Sequence, residues 1–194
     1  ADQPVLCGPG SNQPFADRVR FIGDQVALVI AESIEAAEEA RSLIRVEYQE
    51  LPILSSISQA LHPEAPLIHP ETESNVFVHF HIEKGGVASA FESADVIIEG
   101  EYRTPVQEHA YLQPEAGVSY LDEEERITVI VGGQWIHEDQ EQIAHALNIG
   151  LEKIRIIYPA IGGAFGGRED MSVQIILALA TMKLAEKGID RPVK

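Results

Sequence analysis

The run Ile161-Gly162-Gly163-Ala164-Phe165-Gly166-Gly167-Arg168-Glu169-Asp170 constrains this chain more than any other stretch. Four glycines surround one aromatic, and a charged cluster follows at once. Ahead of it, Ile154-Arg155-Ile156-Ile157-Tyr158 reads as a β-strand. Behind it, Val173, Ile176, Leu177, Ala180 and Leu184 share one face of an amphipathic helix with Asp170 as its N-cap. Glycines admit positive φ and close backbone approach. A strand–glycine loop–helix unit also aims unpaired backbone N–H groups at a ligand beside the loop. Such a loop suits a polar cofactor.

Two phosphate-binding patterns can be tested against it. Gly162 and Gly167 have the spacing of the nucleoside-triphosphate loop, but Arg168 and Glu169 stand where that loop needs Lys and Ser/Thr. Glu169 would remove the Mg²⁺-binding hydroxyl and add repulsion. The dinucleotide pattern G-x-G-x-x-G is absent. A phosphate-binding enzyme using this near-miss loop would need Mg²⁺-dependent nucleotide binding.

A third pattern fits better. The loop resembles the Gly-Gly-Gly-Phe-Gly-Gly-Lys-Glu signature of the xanthine dehydrogenase/aldehyde oxidase family, the molybdenum hydroxylases, departing at Ala164 and Arg168. Gly133-Gln134-Trp135 lies upstream as that family's Gln element does. Gly100-Glu101-Tyr102-Arg103-Thr104-Pro105, Glu108-His109 and Glu115 resemble its approach to the cofactor-binding domain. Residues 19–31, followed by Val46-Glu47-Tyr48, resemble its α/β hammerhead domain. The likeness runs over nearly the whole chain in the family's order. It implies an α+β fold: a partial hammerhead domain over residues 1–62, a linker and extended connection over 63–94, and the first part of a molybdopterin-binding domain over 95–194.

Composition narrows the partners. The formal net charge of −17, with no clustering of Lys or Arg, argues against nucleic acid, whose binders need basic patches. A single cysteine, Cys7, excludes an internal disulfide and an iron–sulfur cluster within these residues, since a cluster takes about four thiolates. No stretch reaches the roughly 18 apolar residues of a membrane span, and the N-terminus lacks a signal-peptide pattern, so a cytoplasmic protein is expected. The seven histidines form neither H-E-x-x-H nor a Cys/His cluster, which argues against protein-ligated zinc. The absence of an initiating Met and the stop after Asp190-Arg191-Pro192-Val193-Lys194 read as the ends of a segment of a larger subunit.

Local patterns place further elements. Residues 1–18 read as loop, and 19–31 as a hairpin or bent strand pair broken at Gly23-Asp24. Ser33 caps a helix to about Leu43, followed by a strand over 44–48. Pro63, Pro66 and Pro70 mark a linker. Residues 75–83 are extended, 87–93 a short helix and 95–103 a strand. Residues 117–121 and 127–131 pair across 122–126, and a helix over about 138–147 ends at Asn148-Ile149-Gly150.

By composition alone, Gln134 would be a loop glutamine bonding local backbone, Phe165 a core aromatic, and Glu169 a first-turn acid favoured by the helix dipole. The resemblance implies otherwise. Gln134, Gly163, Phe165, Gly166 and Gly167 would line the cofactor, with Gln134 and Phe165 beside the molybdenum without being its ligands. Glu169 would contact substrate, and an acid there leans towards a purine-like N-heterocycle over an aldehyde. Glu108 and Glu115 are taken as polar residues near the domain junction. The family's general-base Glu matches no position here, so no catalytic residue is assigned and the segment alone should be inactive. The implied reaction is hydroxylation with water as oxygen source, with electrons leaving through iron–sulfur clusters and FAD on partner chains or domains. The competing class is a non-catalytic binding module of the same fold.

Overall fold

The computed structural model describes residues 18–70, 72–169 and 171–194. Two compact units are present, one of residues 1–44 with 107–194 and one of residues 45–106. Cys7 and all but Arg18 of the loop expected over 1–18 lie outside the described residues, as does Asp170.

The first unit contains helix α1 (Ile34–Leu43), whose N-cap Ser33 accepts a hydrogen bond from the Ala36 N–H as the sequence predicts. Its remaining elements build one small α+β layer pair. Strands β1 (Gly117–Leu121) and β2 (Ile127–Val131) form the expected hairpin, in register from Gly117 opposite Val131 to Leu121 opposite Ile127. Helix α4 (Ile136–Leu147), capped by left-handed Asn148, and a 3₁₀ turn (Leu151–Lys153) carry the chain to β3 (Ile154–Ile157). β3 pairs parallel to β2, and a parallel partner needs such a crossover. Helix α5 (Gln174–Glu186) follows the glycine loop.

Central strand β2 buries Ile127, Val129 and Val131, and Ile143, Ala144 and Leu147 of α4 join Ile175, Leu177, Ala178 and Leu179 of α5 in the same core. Buried Thr181 on α5 donates its hydroxyl to buried Ser119 on β1 at 2.8 Å, so neither oxygen is left dry and unpaired. α5 differs from expectation in two ways. It begins at Gln174 rather than near Asp170, and its burial runs over Ile175 and Leu177 to Thr181 instead of one stripe. It touches β1, β2 and α4, and a helix enclosed on several sides is apolar around most of its circumference.

The hairpin turn at the far end is held by Asp122, which accepts from the N–H groups of Glu124 and Arg126 at 3.0 Å each and from Arg126 Nε at 2.9 Å.

The second unit has short helices α2 (Ile57–Ala60) and α3 (Val87–Glu92). Its Pro-rich stretch is locally ordered by Asn75, whose amide donates to the Ala60 and Pro66 carbonyls and accepts from the Ile68 N–H. Across both units, the strands expected over 19–31, 44–48 and 95–103 pair into no ladder among the described residues, and Phe21, Val26, Tyr48, Val96 and Ile98 stay exposed. Extended backbone becomes a strand only when a neighbour takes its N–H and C=O groups.

Candidate functional site

Sheet topology explains why three distant segments meet. β2 and β3 run parallel, so 132–134 and the loop after Ile157 leave the sheet at the same end. β1 is antiparallel with Gly117 opposite Val131, so the residues before β1 reach that end too. The carboxyl ends of adjacent parallel strands are a recurrent ligand position in α/β sheets. The signal in the sequence is the stretch Tyr111-Leu112-Gln113-Pro114-Glu115 just ahead of the hairpin, whose importance only the topology reveals.

Arg168 joins the three segments. Its side chain is 1% exposed. Nε donates to the Gly163 carbonyl at 3.2 Å, Nη1 to Gly132 O at 3.4 Å, and Nη2 to the carbonyls of Gln113 at 2.8 Å and Pro114 at 3.4 Å. Nη1 also meets Glu115 Oε1 at 3.1 Å, and the guanidinium carbon lies 4.2 Å from the centre of the Tyr111 ring. Glu115 in turn accepts from the hydroxyls of Tyr111 and Ser172. The hydrogen bond from Tyr111 raises its phenol pKa above the usual value. The sequence reading of Glu115 as a residue of the domain junction is thus corrected: it is the counter-ion of a buried arginine. Glu108 stays outside this network, exposed beside His109.

The loop itself is fastened at both ends and free in the middle. Gly162 N–H donates to Gln113 Oε1 at 2.8 Å, Gly167 N–H to the Ala164 carbonyl at 2.8 Å, and Arg168 N–H to Gln134 Oε1 at 3.1 Å. The N–H groups of Gly163, Ala164, Phe165 and Gly166 find no acceptor among the described residues. Phe165 and Gly166 are both left-handed, with φ of 53° and 85°, and Phe165 is 77% exposed rather than packed in a core. Gly167 is required by close approach, since a Cβ there would fall 2.8 Å from His109 Cγ.

Of the residues singled out in the sequence, Gln134, Gly163, Phe165, Gly166 and Gly167 are brought together at this sheet end. Glu169 is half-buried in the bend closing the loop, ahead of α5 and not in its first turn, so the helix-dipole argument for it falls. Arg168 turns inward to Glu115.

Beneath the site sits a buried acid the sequence reading passed over. Asp139 on α4 is 1% exposed and accepts from Tyr158 Oη at 2.7 Å and Gln174 Nε2 at 3.5 Å. Loss of water raises its carboxyl pKa, against the lowering effect of those two hydrogen bonds. The Tyr158 hydroxyl is raised by burial and by this bond.

The donor set fits an acceptor-rich cofactor. A backbone N–H bonds only the oxygen of an amide, so Arg168 N–H fixes Gln134 with its NH₂ turned the other way. That NH₂ and the N–H groups of residues 163–166, which find no acceptor among the described residues, are available as donors, and a Cβ at Gly166 would meet nothing within 4 Å. Among the described residues no group of three or more His, Cys, Asp and Glu could hold a metal ion.

Comparison with known proteins agrees. The molybdopterin cofactor-binding domain matches residues 68–194, and the α/β hammerhead domain of aldehyde oxidase and xanthine dehydrogenase matches residues 7–52. The chain is 37% identical over 193 residues to a probable xanthine dehydrogenase subunit of Bacillus subtilis, covering 100% of this chain and 24% of that protein. It is 39% identical over 165 residues to the nicotinate dehydrogenase large molybdopterin subunit of Eubacterium barkeri, covering 85% of this chain and 38% of the relative. The aldehyde oxidoreductase from Desulfovibrio desulfuricans superposes with a TM-score of 0.73 at 27% identity, over 84% of this chain and 18% of that one. The chain therefore spans less than two-fifths of the length of each of these proteins. It belongs to the xanthine dehydrogenase/aldehyde oxidase family, and residues 68–194 belong to that family's molybdopterin cofactor-binding domain.

Proposed function

We propose that this chain forms part of the cofactor-binding subunit of a molybdenum hydroxylase that oxidises a purine-like N-heterocycle or an aldehyde, with water as the oxygen source. The observation that carries the reading is the set of donors at the sheet end, the Gln134 NH₂ and the N–H groups of residues 163–166, which find no acceptor among the described residues. When bound, the molybdopterin group would supply the redox and oxygen-transfer chemistry. This chain's residues would do the holding. Gln134 and the N–H groups of Gly163 and Gly166 would stabilise negative oxygen, and Gly167 would let the loop lie close against His109. Phe165 would cover one side and exclude water, and Glu169 would orient substrate. Preorganised donors of this kind are effective because they need no rearrangement as charge develops.

Two observations support the heterocycle side. Glu169 is an acid at the loop's exit, able to accept a ring N–H. The relatives named for xanthine and nicotinate act, by their names, on nitrogen heterocycles, whereas the structural neighbour is named for aldehydes. With one cysteine in the sequence, electrons would pass to iron–sulfur and flavin groups on partner chains or domains. No helix among the described residues is long and apolar enough to cross a membrane, and a cytoplasmic site is proposed.

The test is to purify the complete subunit with its partners from a host that makes the cofactor. Molybdenum near one per chain, with hydroxylation of hypoxanthine or nicotinate exceeding that of benzaldehyde, is the expected result. Metal-free protein that stays metal-free on reconstitution would overturn the reading.

A further inference from the structure

We propose that Arg168, with Glu115 as its counter-ion, is the positioning residue of this site. Its task would be to hold the backbone N–H that decides which end of Gln134 faces the ligand. The inference rests on the functional reading above only for the nature of that ligand.

A guanidinium has five N–H groups in a fixed plane. Arg168 donates four hydrogen bonds, to the carbonyls of Gly163, Gly132, Gln113 and Pro114, and its Nη1 forms an ion pair with the Glu115 carboxylate. No buried side-chain nitrogen or oxygen among the described residues lacks a partner, and each of the three guanidinium nitrogens is engaged. The acceptors come from all three segments at the sheet end. One side chain therefore sets the spacing between the loop, the 132–134 turn and the stretch before β1. The face of Tyr111 closes over the guanidinium plane, as a planar cation permits.

The consequence falls on Gln134. Its Oε1 is engaged by the N–H of the same residue whose side chain is locked. If residue 168 shifts, the amide is free to turn, and an oxygen then faces the ligand where an NH₂ had been. The signature this loop resembles carries lysine here, and in this chain's setting the two cations would brace the loop differently. An ammonium has three donors and no plane, and could not hold all four carbonyls and Glu115 at once or stack on Tyr111 in the same way. Glu115 supplies the charge balance a buried guanidinium needs, and removing one partner of such a pair leaves the other uncompensated.

The experiment uses the complete cofactor-bearing protein and the variants Arg168→Lys, Arg168→Met, Gln134→Ala and Arg168→Lys/Gln134→Ala. Three quantities are read: hydrogen exchange of the loop amides, molybdenum per chain, and kcat separately from KM. For Arg168→Lys we expect exchange across residues 162–168 to rise about tenfold or more while molybdenum is retained, and kcat to fall by about tenfold with little change in KM, the size of effect a small misplacement produces. The double variant should be no slower than Gln134→Ala alone, because the two residues act as one unit. Arg168→Met should show the larger exchange change, and if it fails to fold, Arg168→Lys carries the test. Wild-type exchange and kinetics in Arg168→Lys, or multiplicative effects in the double variant, would overturn the proposal. Wild-type protein without molybdenum would instead overturn the functional reading, and the exchange arm would still decide the positioning role.

Discussion

The backbone N–H of Arg168 donates to Gln134 Oε1 at 3.1 Å, joining the glycine loop to the turn after β2 across two parallel strands. One bond thereby orients an amide whose two ends are chemically opposite. The oxygen is used internally and the NH₂ is left for an acceptor.

Separating these two ends gives the first prediction. Gln134→Glu keeps an oxygen for Arg168 N–H but replaces the donor with a second oxygen. Turnover in the complete enzyme should fall about 10²-fold or more, as when a preorganised donor is removed, while thermal stability changes little. Gln134→Ala should lose turnover similarly and loosen the loop as well. Unchanged kcat in both variants with full molybdenum would return Gln134 to the status of an ordinary loop residue.

The second prediction concerns Phe165, a non-glycine residue at φ 53° with 77% of its surface exposed. The left-handed conformation costs an L-residue about 1–2 kcal/mol. An exposed ring returns little packing energy. Glycine relieves the strain but frees the unfolded chain by about 0.5–1 kcal/mol. Phe165→Gly should thus leave unfolding free energy within about 1 kcal/mol of wild type, in contrast to the roughly 3–5 kcal/mol lost when a core Phe is truncated. Denaturant melts would show the difference, and a loss in the core range would mean that the ring is packed.

The sequence made the local elements readable and left the network hidden, for physical reasons. The 117–131 hairpin follows from alternation around a turn, and α1 from the Ser33 cap. Both depend on residues close in the chain. The loop's identity also came through, because glycines at close-approach positions such as Gly167 leave a mark in sequence. Arg168 is different. Its acceptors are mostly backbone carbonyls up to 55 residues away, and a carbonyl carries no residue identity. Glu115 gave no sign of its partner because sheet topology, not nearness in the chain, brings it to Arg168. The strands expected over 19–31, 44–48 and 95–103 have a strand's composition but no ladder among the described residues, since alternation reports a face to bury and not the neighbour that pairs with it.

Asp139 yields a pH prediction. Its desolvated carboxyl titrates above the unfolded value of about 3.9. A raised folded pKa means the folded state holds the proton more tightly. The associated stability is therefore present below about pH 3.9 and is lost as pH rises through the folded pKa. Asp139→Asn removes this titration while keeping an oxygen for Tyr158 and Gln174. The stability of the variant relative to wild type should therefore rise from about pH 4 upward through the folded pKa and then level off. Parallel wild-type and variant curves in urea melts over that range would show that the acid is not desolvated.

The last prediction concerns substrate class. Glu169 is half-buried at the loop's exit, clear of α5 and of the Arg168 guanidinium, which is taken by Glu115. Its carboxylate is thus not committed to the ion pair that braces the loop. A purine-like ring can donate an N–H to it, whereas an aldehyde has no such donor. A hydrogen bond to a charged group is worth about 1.5–3 kcal/mol, or roughly ten- to a hundredfold in kcat/KM. In the complete enzyme, Glu169→Gln should lower kcat/KM for hypoxanthine by about that factor and leave a simple aldehyde almost unaffected. Steady-state kinetics on both substrates with matched molybdenum content decides it. An equal loss on both would assign Glu169 to the loop's structure, and the preference for a heterocycle would then have to come from residues elsewhere in the subunit.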